Sequence, residues 1–282
     1  MNIRTFYTLF YRHRFEKASF IRKLYLVLIL PFKFFYNLFY LDKKKNLDDF
    51  STGNSFLFHK DLDYLFEYFN SDKGEKYINQ YVHPSKRNNI KIKAHGYSKF
   101  YEKVFLEFKN KKINILEIGS FYGNASAAMF FYFKNANIFG ADINPDMFNY
   151  TSKRIKSFFV NSSSVSSIQK NIIDKKIEYK IIIEDASHML KDQIISLFYL
   201  FPTLESGGYF IVEELDFPEK REDMRIGQEF PDLKTILKNI KEKKDFNSKY
   251  LNQNLKDYFL KNFETIDVFK GNINEIAIIK KK

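Results

Sequence analysis

The segment that most constrains the fold is an apolar run that ends in an acid and two spaced glycines. It reads Asn114-Ile-Leu-Glu117-Ile-Gly119-Ser-Phe-Tyr-Gly123-Asn-Ala-Ser126. This order is typical of a buried parallel strand, a tight turn and a helix whose N-terminal amides face a ligand. We expect Gly119 and Gly123 to leave room for a small molecule against the backbone. The spacing Glu-x-Gly-x-x-x-Gly differs from the Gly-x-Gly-x-x-Gly of dinucleotide-binding turns, and an ordinary strand–turn–helix corner stays open from this segment alone.

From residue 113 onward, strand-like and helix-like segments alternate. The pattern predicts strands at about 113–118, 137–142, 156–160, 179–184 and 208–213. It predicts helices at 123–134, 146–154, 164–173 and 190–203. Alternation of this kind indicates a parallel sheet with right-handed crossovers, helices on both faces and ligands at the carboxyl ends of the strands.

The last part of the chain contains two further strand-like runs, 263–269 and 275–279, joined by a short loop with Gly271-Asn272. A short loop between strands predicts a hairpin, and therefore an antiparallel strand in the sheet. The predicted fold is α/β, a Rossmann-like doubly wound sheet of seven strands with a terminal antiparallel hairpin and a helical N-terminal extension. Dinucleotide-binding folds normally end on a parallel strand, so the hairpin argues against a nicotinamide oxidoreductase.

Residues 1–45 form a basic and apolar N-terminal arm. The arm holds ten Lys or Arg and two acids, a net charge of +8 out of +12 for the chain. Its apolar run, 24–41, is slightly short of the about 20 residues of a membrane span and contains Pro31, Lys33 and Asn37. We favour a helix on an anionic membrane surface, or a helix pair packed on the catalytic domain or a second subunit, over a true span.

We divide the rest into a helical lead-in, residues 46–110, and a catalytic domain, residues 111–282. Only +4 of the net charge belongs to residues 46–282, so we expect no nucleic-acid partner. The chain has no cysteine, which excludes disulfides and thiolate metal sites and gives no sign of an oxidising compartment. We therefore expect a cytoplasmic protein, peripheral at the inner face of the cytoplasmic membrane if the arm binds lipid.

Two segments are suited to the nucleoside part of a cofactor. Asp142 ends the second predicted strand about 20 residues after the glycine turn, where an acid accepts hydrogen bonds from ribose hydroxyls. A turn-forming Asp before Pro145 is the alternative. Ser163 lies in the serine-rich loop after the third strand, where its hydroxyl is placed to bond an adenine, although such a loop is often only a loop.

Two neighbouring strands end in paired acids, Glu184-Asp185 and Glu213-Glu214, and His188 follows the first pair. Clustered carboxylates raise one another's pKa unless a cation neutralises them. Hard oxygen ligands suit Mg²⁺, and a histidine beside them is placed to act as a general base near neutral pH. Each acid alone could simply cap a strand end; as a set they favour a magnesium-assisted site.

The glycine turn resembles the first motif of class I S-adenosylmethionine-dependent methyltransferases. The segment Glu-Asp-Ala-Ser-His188, with the later Gly-Gly-Tyr-Phe-Ile-Val-Glu-Glu214, resembles the macrocin-type sugar O-methyltransferases, which are Mg²⁺-dependent. The family pattern has Asp at positions 184 and 214 and Gly where Ala186 stands, which puts a glycine-requiring backbone there in doubt. The segments Asp72-Lys73-Gly74 and His95-Gly96-Tyr97 also resemble a lead-in of bacterial relatives.

The resemblance implies methyl transfer from S-adenosylmethionine to a hydroxyl of a sugar or glycoside, with His188 taking the proton. We expect cofactor binding by Glu117, Gly119, Ser120, Gly123, Asp142, Ser163 and Glu184. We expect Mg²⁺ on Asp185, Glu213 and Glu214, catalysis by His188 and Asp185, and substrate contacts from His95 and Tyr97. A metal-independent methyltransferase, a non-catalytic Rossmann-like subunit of a glycan-assembly complex, and a homo-oligomer all stay open.

Overall fold

The structure is a computed structural model, and it describes residues 1–16, 18–39, 43–81 and 89–282. Its helices are α1 Ile3–Phe10, α2 Arg12–Glu16, α3 Phe20–Leu38, α4 Leu47–Gly53, α5 Leu62–Tyr68, α6 Ser98–Phe105, α7 Asn124–Tyr132, α8 Val165–Asn171, α9 Leu190–Leu200, α10 Phe217–Lys220, α11 Leu233–Lys243 and α12 Gln253–Asn262. Its strands are β1 Lys45–Asn46, β2 Tyr77–Tyr81, β3 Asn89–Lys93, β4 Asn114–Ile118, β5 Asn137–Asp142, β6 Tyr150–Thr151, β7 Ile155–Phe159, β8 Tyr179–Glu184, β9 Leu204–Val212, β10 Phe263–Lys270 and β11 Glu275–Lys281.

Seven strands form one sheet in the order β10-β11-β9-β8-β4-β5-β7. The five strands from β9 to β7 are parallel, and β11 is antiparallel to both β9 and β10. The predicted fold class, with its terminal antiparallel hairpin, is therefore confirmed. The strand of this sheet that comes first in the chain, β4, lies near its centre with β8 on one side and β5 on the other. The carboxyl ends of these strands therefore meet at one edge.

Helices cover both faces of the sheet because successive strand residues point to opposite sides. In β4, Ile115 packs with α5, α6 and α7, whereas Leu116 packs with α9, α11 and α12. Both side chains are fully buried. The unbroken apolar runs of the central strands follow from this burial on two faces, which is typical of parallel sheets.

The helix predicted at 146–154 is wrong. The chain instead makes a short 3₁₀ turn, Pro145–Met147, and then β6, which pairs in parallel with β1 of the lead-in. The ring of Phe148 is fully buried beside Gly123 and Gly140, within 2.6–2.8 Å of where a Cβ atom would stand on either glycine. A helix through this short connection would turn that ring away from the pocket that the two glycines provide.

The segment before the sheet contains α4, α5 and α6 together with the hairpin of β2 and β3. Residues 82–88, which join β2 and β3 and include Lys86 and Arg87, lie outside the described residues. The division of the chain at residues 45 and 110 stays a prediction. Two polar stretches of the lead-in, 72–76 and 94–97, are joined to each other by backbone hydrogen bonds.

The N-terminal arm is attached through α1 to the 3₁₀ turn that follows β5. Asp146 accepts hydrogen bonds from the backbone amide of Asn2 at 2.6 Å and from the hydroxyl of Thr5 at 3.0 Å. The longest helix, α3, leaves most of its apolar side chains exposed. Within the part of the chain that the structure describes, no helix combines the length and hydropathy of a bilayer-crossing segment.

Candidate active site

A cavity of about 730 Å³ opens beside the carboxyl ends of β4 and β5. Its lining comes from the glycine turn, the lead-in, the arm, the connection at residues 146–150 and Asp185. The residues are Met1, Lys43, Lys44, Lys45, Tyr68, Phe69, Asn70, Ser71, Asp72, Lys73, Ile78, Asn79, Glu117, Gly119, Ser120, Phe121, Tyr122, Asn124, Ala125, Asp146, Met147, Asn149, Tyr150 and Asp185. Its volume is in the range of cofactor pockets, and its position is where ligands bind in parallel sheets.

The two glycines of the turn are needed for a reason other than the one expected. Gly119 has φ +88°, and a Cβ atom there would lie 1.9 Å from the carbonyl oxygen of Asp185. Gly123 has φ +79°, and its Cβ would lie 2.6 Å from the ring of Phe148. Both conformations are left-handed, which favours glycine. The glycines therefore let the chain pack on itself, and the cavity lies beside this packing and is not made by it.

Glu117, the acid of the turn, lies at the cavity with 2% of its surface exposed. Its carboxylate accepts a 2.6 Å hydrogen bond from Ser126, and Lys73 lies 3.9 Å away. Burial raises the pKa of Glu117 to about 7, against the opposing effect of Lys73. Ser120 also lines the cavity, and its buried hydroxyl has no hydrogen-bond partner among the residues that the structure describes, which leaves it available to a ligand.

Four of the predicted cofactor residues do not line this cavity: Gly123, Asp142, Ser163 and Glu184. Each oxygen of Asp142 accepts a backbone hydrogen bond, from Phe121 at 2.9 Å and from Asn144 at 2.8 Å, so this acid shapes the turn. Ser163 donates to Asp192 at 2.5 Å. Glu184 is fully buried, and burial together with Asp185 raises its pKa to about 8.

Glu184 lies apart from Glu117 because of its place in the strand. It stands opposite Ile118 in the parallel ladder of β4 and β8, and Ile118 packs on the α9 face. Glu117 is the neighbour of Ile118 and points to the other face. The structure therefore brings Glu117 and Asp185 together and leaves Glu184 on the far side of the sheet.

A buried lysine lies at the centre of the acidic cluster. Lys73 is 2% exposed, and its ammonium forms ion pairs with Asp185 and with Glu213, the latter at 2.7 Å. Burial lowers the pKa of Lys73, but the surrounding carboxylates raise it further, to well above its usual value. The hydroxyl of Tyr101 donates a hydrogen bond to Oε1 of Glu213, the same oxygen that pairs with Lys73.

The acids expected to hold a metal are thus divided. Asp185, His188 and Glu214 each offer one ligand atom, and these atoms all lie within 4.8 Å of one another. His188 Nε2 lies 3.8 Å from Asp185, and Nδ1 lies 3.4 Å from Glu214. Glu213 is not in this trio. The donor set of two carboxylates and one imidazole suits a divalent cation.

Two members of the trio have an unusual backbone. His188 has φ +56° and Glu214 has φ +44°, although neither is glycine. Such conformations cost of the order of 1–3 kcal/mol each and are frequent at functional sites. Burial lowers the pKa of His188, which keeps its imidazole neutral near pH 7. For Asp185, burial raises the pKa but Lys73 and His188 lower it more, so that the carboxylate stays ionised.

His95 and Tyr97 lie next to the trio. His95 Nε2 is 3.0 Å from Glu214, and Nδ1 is 3.3 Å from the side-chain amide of Asn274. The ring of Tyr97 stacks on that of His95 at 5.3 Å, and its hydroxyl donates to the carbonyl of Glu275. Tyr97 is fully buried, so its predicted contact with substrate is not evident, whereas His95 stands beside the candidate metal ligands.

Sequence reasoning missed the part that Lys73 and Tyr101 play. Lys73 occurs in the quoted segment Asp72-Lys73-Gly74, and Tyr101 follows Tyr97 by four residues, but nothing in their spacing indicates contacts across 112 residues to Asp185 and Glu213. The signal that was available is the acidic cluster itself, because buried carboxylates require a cation.

The chain matches no protein-family model. It is 28% identical over 128 residues to 8-demethyl-8-alpha-L-rhamnosyl tetracenomycin-C 2'-O-methyltransferase of Streptomyces olivaceus, which covers 43% of this chain and 33% of that relative. It is 26% identical over 128 residues to demethylmacrocin O-methyltransferase of Streptomyces fradiae, covering 43% and 32%. Over these 128 residues the chain is similar to the macrocin-type sugar O-methyltransferases.

The structural comparison agrees with the sequence relatives. MycE methyltransferase from the mycinamycin biosynthetic pathway, solved with Mg, SAH and mycinamycin VI, superposes with a TM-score of 0.56 at 19% identity. The match covers 79% of this chain and 54% of MycE. The fold is therefore that of a class I methyltransferase. This chain spans about a third of the length of the curated relatives that it matches.

Proposed function

We propose that the protein is an S-adenosylmethionine-dependent O-methyltransferase that acts on a hydroxyl of a sugar or glycoside. The observation that carries the proposal is the position of Asp185, which lines the cavity beside the glycine turn and also belongs to the Asp185, His188 and Glu214 trio. A donor held in the cavity and an acceptor held at the trio would therefore meet. The relatives named above methylate glycosylated polyketides, which supports this acceptor class.

The cavity suits S-adenosylmethionine in both volume and chemistry. S-adenosylmethionine supplies a methyl group that is already activated for transfer. Glu117 provides a carboxylate for the positively charged methionine end, and Ser120 provides a buried hydroxyl without a partner. Asp142 fixes the turn through two backbone hydrogen bonds, and each of its oxygens keeps further acceptor capacity.

The trio suits Mg²⁺, with Asp185 and Glu214 as the oxygen ligands. A bound Mg²⁺ would supply positive charge that lowers the pKa of the acceptor hydroxyl. The chain's own contribution is to keep Asp185 ionised through Lys73 and to orient Glu214 through His95. Glu213 stays with Lys73 and Tyr101, and we infer that it supports the site without holding the metal.

His188 is the proposed general base. Its imidazole is kept neutral by burial and lies within 3.8 Å of both carboxylates of the trio, so a hydroxyl held there would be within reach. Proton transfer to His188 would create an imidazolium 3.8 Å from Asp185, whose ionised carboxylate stabilises it. The same imidazole also offers the third ligand atom of the trio. Its role as general base and its role as metal ligand are separable by experiment.

Lys73 favours a second candidate, a methyltransferase that needs no metal. Its ammonium already neutralises part of the acidic cluster, which is the task otherwise assigned to Mg²⁺. The decisive test uses purified protein, labelled methyl donor and a set of nucleotide sugars and macrolide glycosides. EDTA should abolish transfer and Mg²⁺ should restore it; full activity in EDTA would establish the metal-independent form.

Binding of the donor separates an enzyme from a non-catalytic subunit. Calorimetry should detect S-adenosylmethionine binding to wild-type protein and a much weaker response for Ser120→Val with Glu117→Gln. A wild-type protein that binds no donor would favour the non-catalytic interpretation. Transfer to an amine or a protein, with no transfer to any glycoside, would keep the donor site and reject the proposed acceptor.

We also infer that the N-terminal arm contacts an anionic membrane surface, and that it acts as a unit distinct from the lead-in and the catalytic domain. The support is its charge of +8 and the exposed apolar side chains of α3. Deleting residues 1–45 is a poor test, because Lys43, Lys44 and Lys45 line the cavity. Point substitutions that leave the cavity intact are needed.

A further inference from the structure

The arm contains a second cavity, of about 690 Å³, between α2 and α3. Three cations line it: Arg14 from α2, and Arg22 and Lys33 from α3. The guanidinium carbon of Arg14 and the ammonium of Lys33 lie 5.9 and 5.6 Å from the ring centre of Tyr11, so both are drawn to one aromatic group. The hydroxyl-bearing Ser19 is a further polar member of the lining.

Among the side chains that the structure describes, no acid lines the cavity and none forms an ion pair with Arg14, Arg22 or Lys33. The side chains of Glu16 and Asp42, the two acids of the arm, are not among those described. Three like charges around one concave space repel each other and attract an anion. Arginine and lysine with a hydroxyl beside them form the donor set that binds phosphate.

The wall of this cavity continues into an exposed apolar stripe along α3. Ile21 and Tyr25 belong to the cavity lining and are 80% and 57% exposed. Leu28, Phe32 and Phe35 follow at helical spacing and are 66%, 75% and 61% exposed. The stripe is about 21 Å long at 1.5 Å per residue, and monomeric proteins rarely leave such a continuous apolar surface in water.

We propose that this cavity binds the phosphate headgroup of an anionic phospholipid while the stripe of α3 enters the acyl region of the membrane. The juxtaposition of a phosphate-binding donor set with an apolar face matches the two parts of a lipid. A second copy of the arm is a poorer occupant, because it would bring another +8 against the first. The inference extends the proposed membrane contact of the arm and does not depend on methyl transfer.

The test measures co-flotation of the full-length protein with vesicles of phosphatidylcholine alone or mixed with phosphatidylglycerol. The pocket variant combines Arg14→Gln, Arg22→Gln and Lys33→Gln. Its matched control removes the same charge from exposed positions of α11, with Lys238→Gln, Lys241→Gln and Lys243→Gln. At about 1 kcal/mol, or fivefold, per cation, the pocket variant should partition roughly 100-fold less, whereas the control should lose less than about fivefold.

A stripe variant, Leu28→Ser with Phe32→Ser, separates the apolar contribution. It should weaken flotation while leaving the far-UV circular dichroism spectrum and thermal unfolding unchanged. Equal losses in the pocket variant and its control would overturn the headgroup site. Equal binding to pure phosphatidylcholine would overturn the anionic requirement.

Two further measurements identify the source of the phosphate and the alternative occupant. Inorganic phosphate and glycerol 3-phosphate should compete only weakly with the mixed vesicles, because they lack acyl chains. Full competition at low concentration would mean a site for free phosphate. Light scattering should give the same mass for wild type and stripe variant without vesicles; a larger assembly that the stripe variant dissociates would mean that a second copy covers α3.

Discussion

Removing the charge of Lys73 tests whether one buried lysine holds the acidic cluster together. In Lys73→Met the side chain keeps a similar length and loses its ammonium. At an effective dielectric constant of about 20, the 2.7 Å pair with Glu213 has a Coulomb energy of about 6 kcal/mol, and the 3.9 Å pair with Glu117 about 4 kcal/mol. Desolvation of the charges offsets most of this, and removing one partner of a buried pair costs about 3–5 kcal/mol.

The pH dependence of the variant gives the sharper result. Burial and Asp185 already raise the pKa of Glu213 well above its usual value. Without Lys73, the clustered carboxyls should hold protons in the folded state that the unfolded chain releases. Their contribution is full below the unfolded pKa and is lost as the pH rises through the folded pKa. The deficit should therefore be larger at pH 8 than at pH 6, by about 1.4 kcal/mol per pH unit for each carboxyl that titrates.

The assay is urea unfolding at both pH values, in EDTA, with Lys76→Met as the control. The ammonium of Lys76 pairs with Glu67 on the surface, where the two side chains are 66% and 49% exposed. That control should change the unfolding free energy by less than about 1 kcal/mol. The reasoning is refuted if Lys73→Met costs no more than the control, or if its deficit is the same at pH 6 and pH 8.

Four other changes test separate parts of the site. A pKa of about 7 for Glu117 means that its ionised fraction rises about eightfold from pH 6 to pH 7.5, so S-adenosylmethionine should bind up to eightfold more tightly at pH 7.5, and calorimetry on Glu117→Gln should show little pH dependence. His188→Ala should reduce turnover by about 10²–10⁴-fold while donor binding persists, and unchanged turnover in the labelled-methyl assay would remove the residue from the mechanism. Glu214→Gln should raise the Mg²⁺ concentration needed for half-maximal activity by at least about tenfold, and an unchanged metal titration would contradict its place as a ligand. Gly119→Ala should unfold or strongly destabilise the protein, because its Cβ would overlap the backbone of Asp185, whereas Gly53→Ala has no atom within 4 Å of its Cβ and should be nearly neutral in thermal unfolding.

The sheet could be predicted because its strands are buried on both faces. The predicted strand at 137–142 agrees with β5 residue for residue, and the predicted strand at 179–184 agrees with β8. Continuous apolar runs of this kind are a local signal and do not depend on distant contacts. The terminal hairpin was equally accessible, since a short loop with glycine lies between two apolar runs.

The acids of the site were only partly predictable. Adjacent acids at the end of a strand point to opposite sides, so the side chains of Glu184 and Asp185 lie apart. In the same way Glu213 contacts Lys73, whereas Glu214 contacts His95. Two adjacent acids in a sequence motif do not indicate which of the two side chains faces the cavity. The contact of Lys73 with Asp185 was inaccessible for another reason, since it depends on how the lead-in folds back across the sheet.

The predicted helix at 146–154 fails because tertiary packing decides this connection. The ring of Phe148 packs in a buried position beside Gly123, and β6 pairs with β1. Local helix propensity depends on neither of these tertiary contacts and so cannot predict them. The same packing explains why the two glycines of the turn are required even though neither opens the cavity.

The loop of the terminal hairpin has a consequence for the order in which the molecule assembles. Asn272 donates its backbone amide to the carbonyl of His95 at 2.6 Å, and its side chain reaches the carbonyl of Glu75 at 2.9 Å. These partners stand nearly 180 and 200 positions apart along the chain. A ribosome that has synthesised the lead-in and the parallel strands has therefore still not produced the loop that fastens His95. A nascent chain stopped before residue 270 should expose the histidine segment to protease, and emergence of the hairpin should protect it.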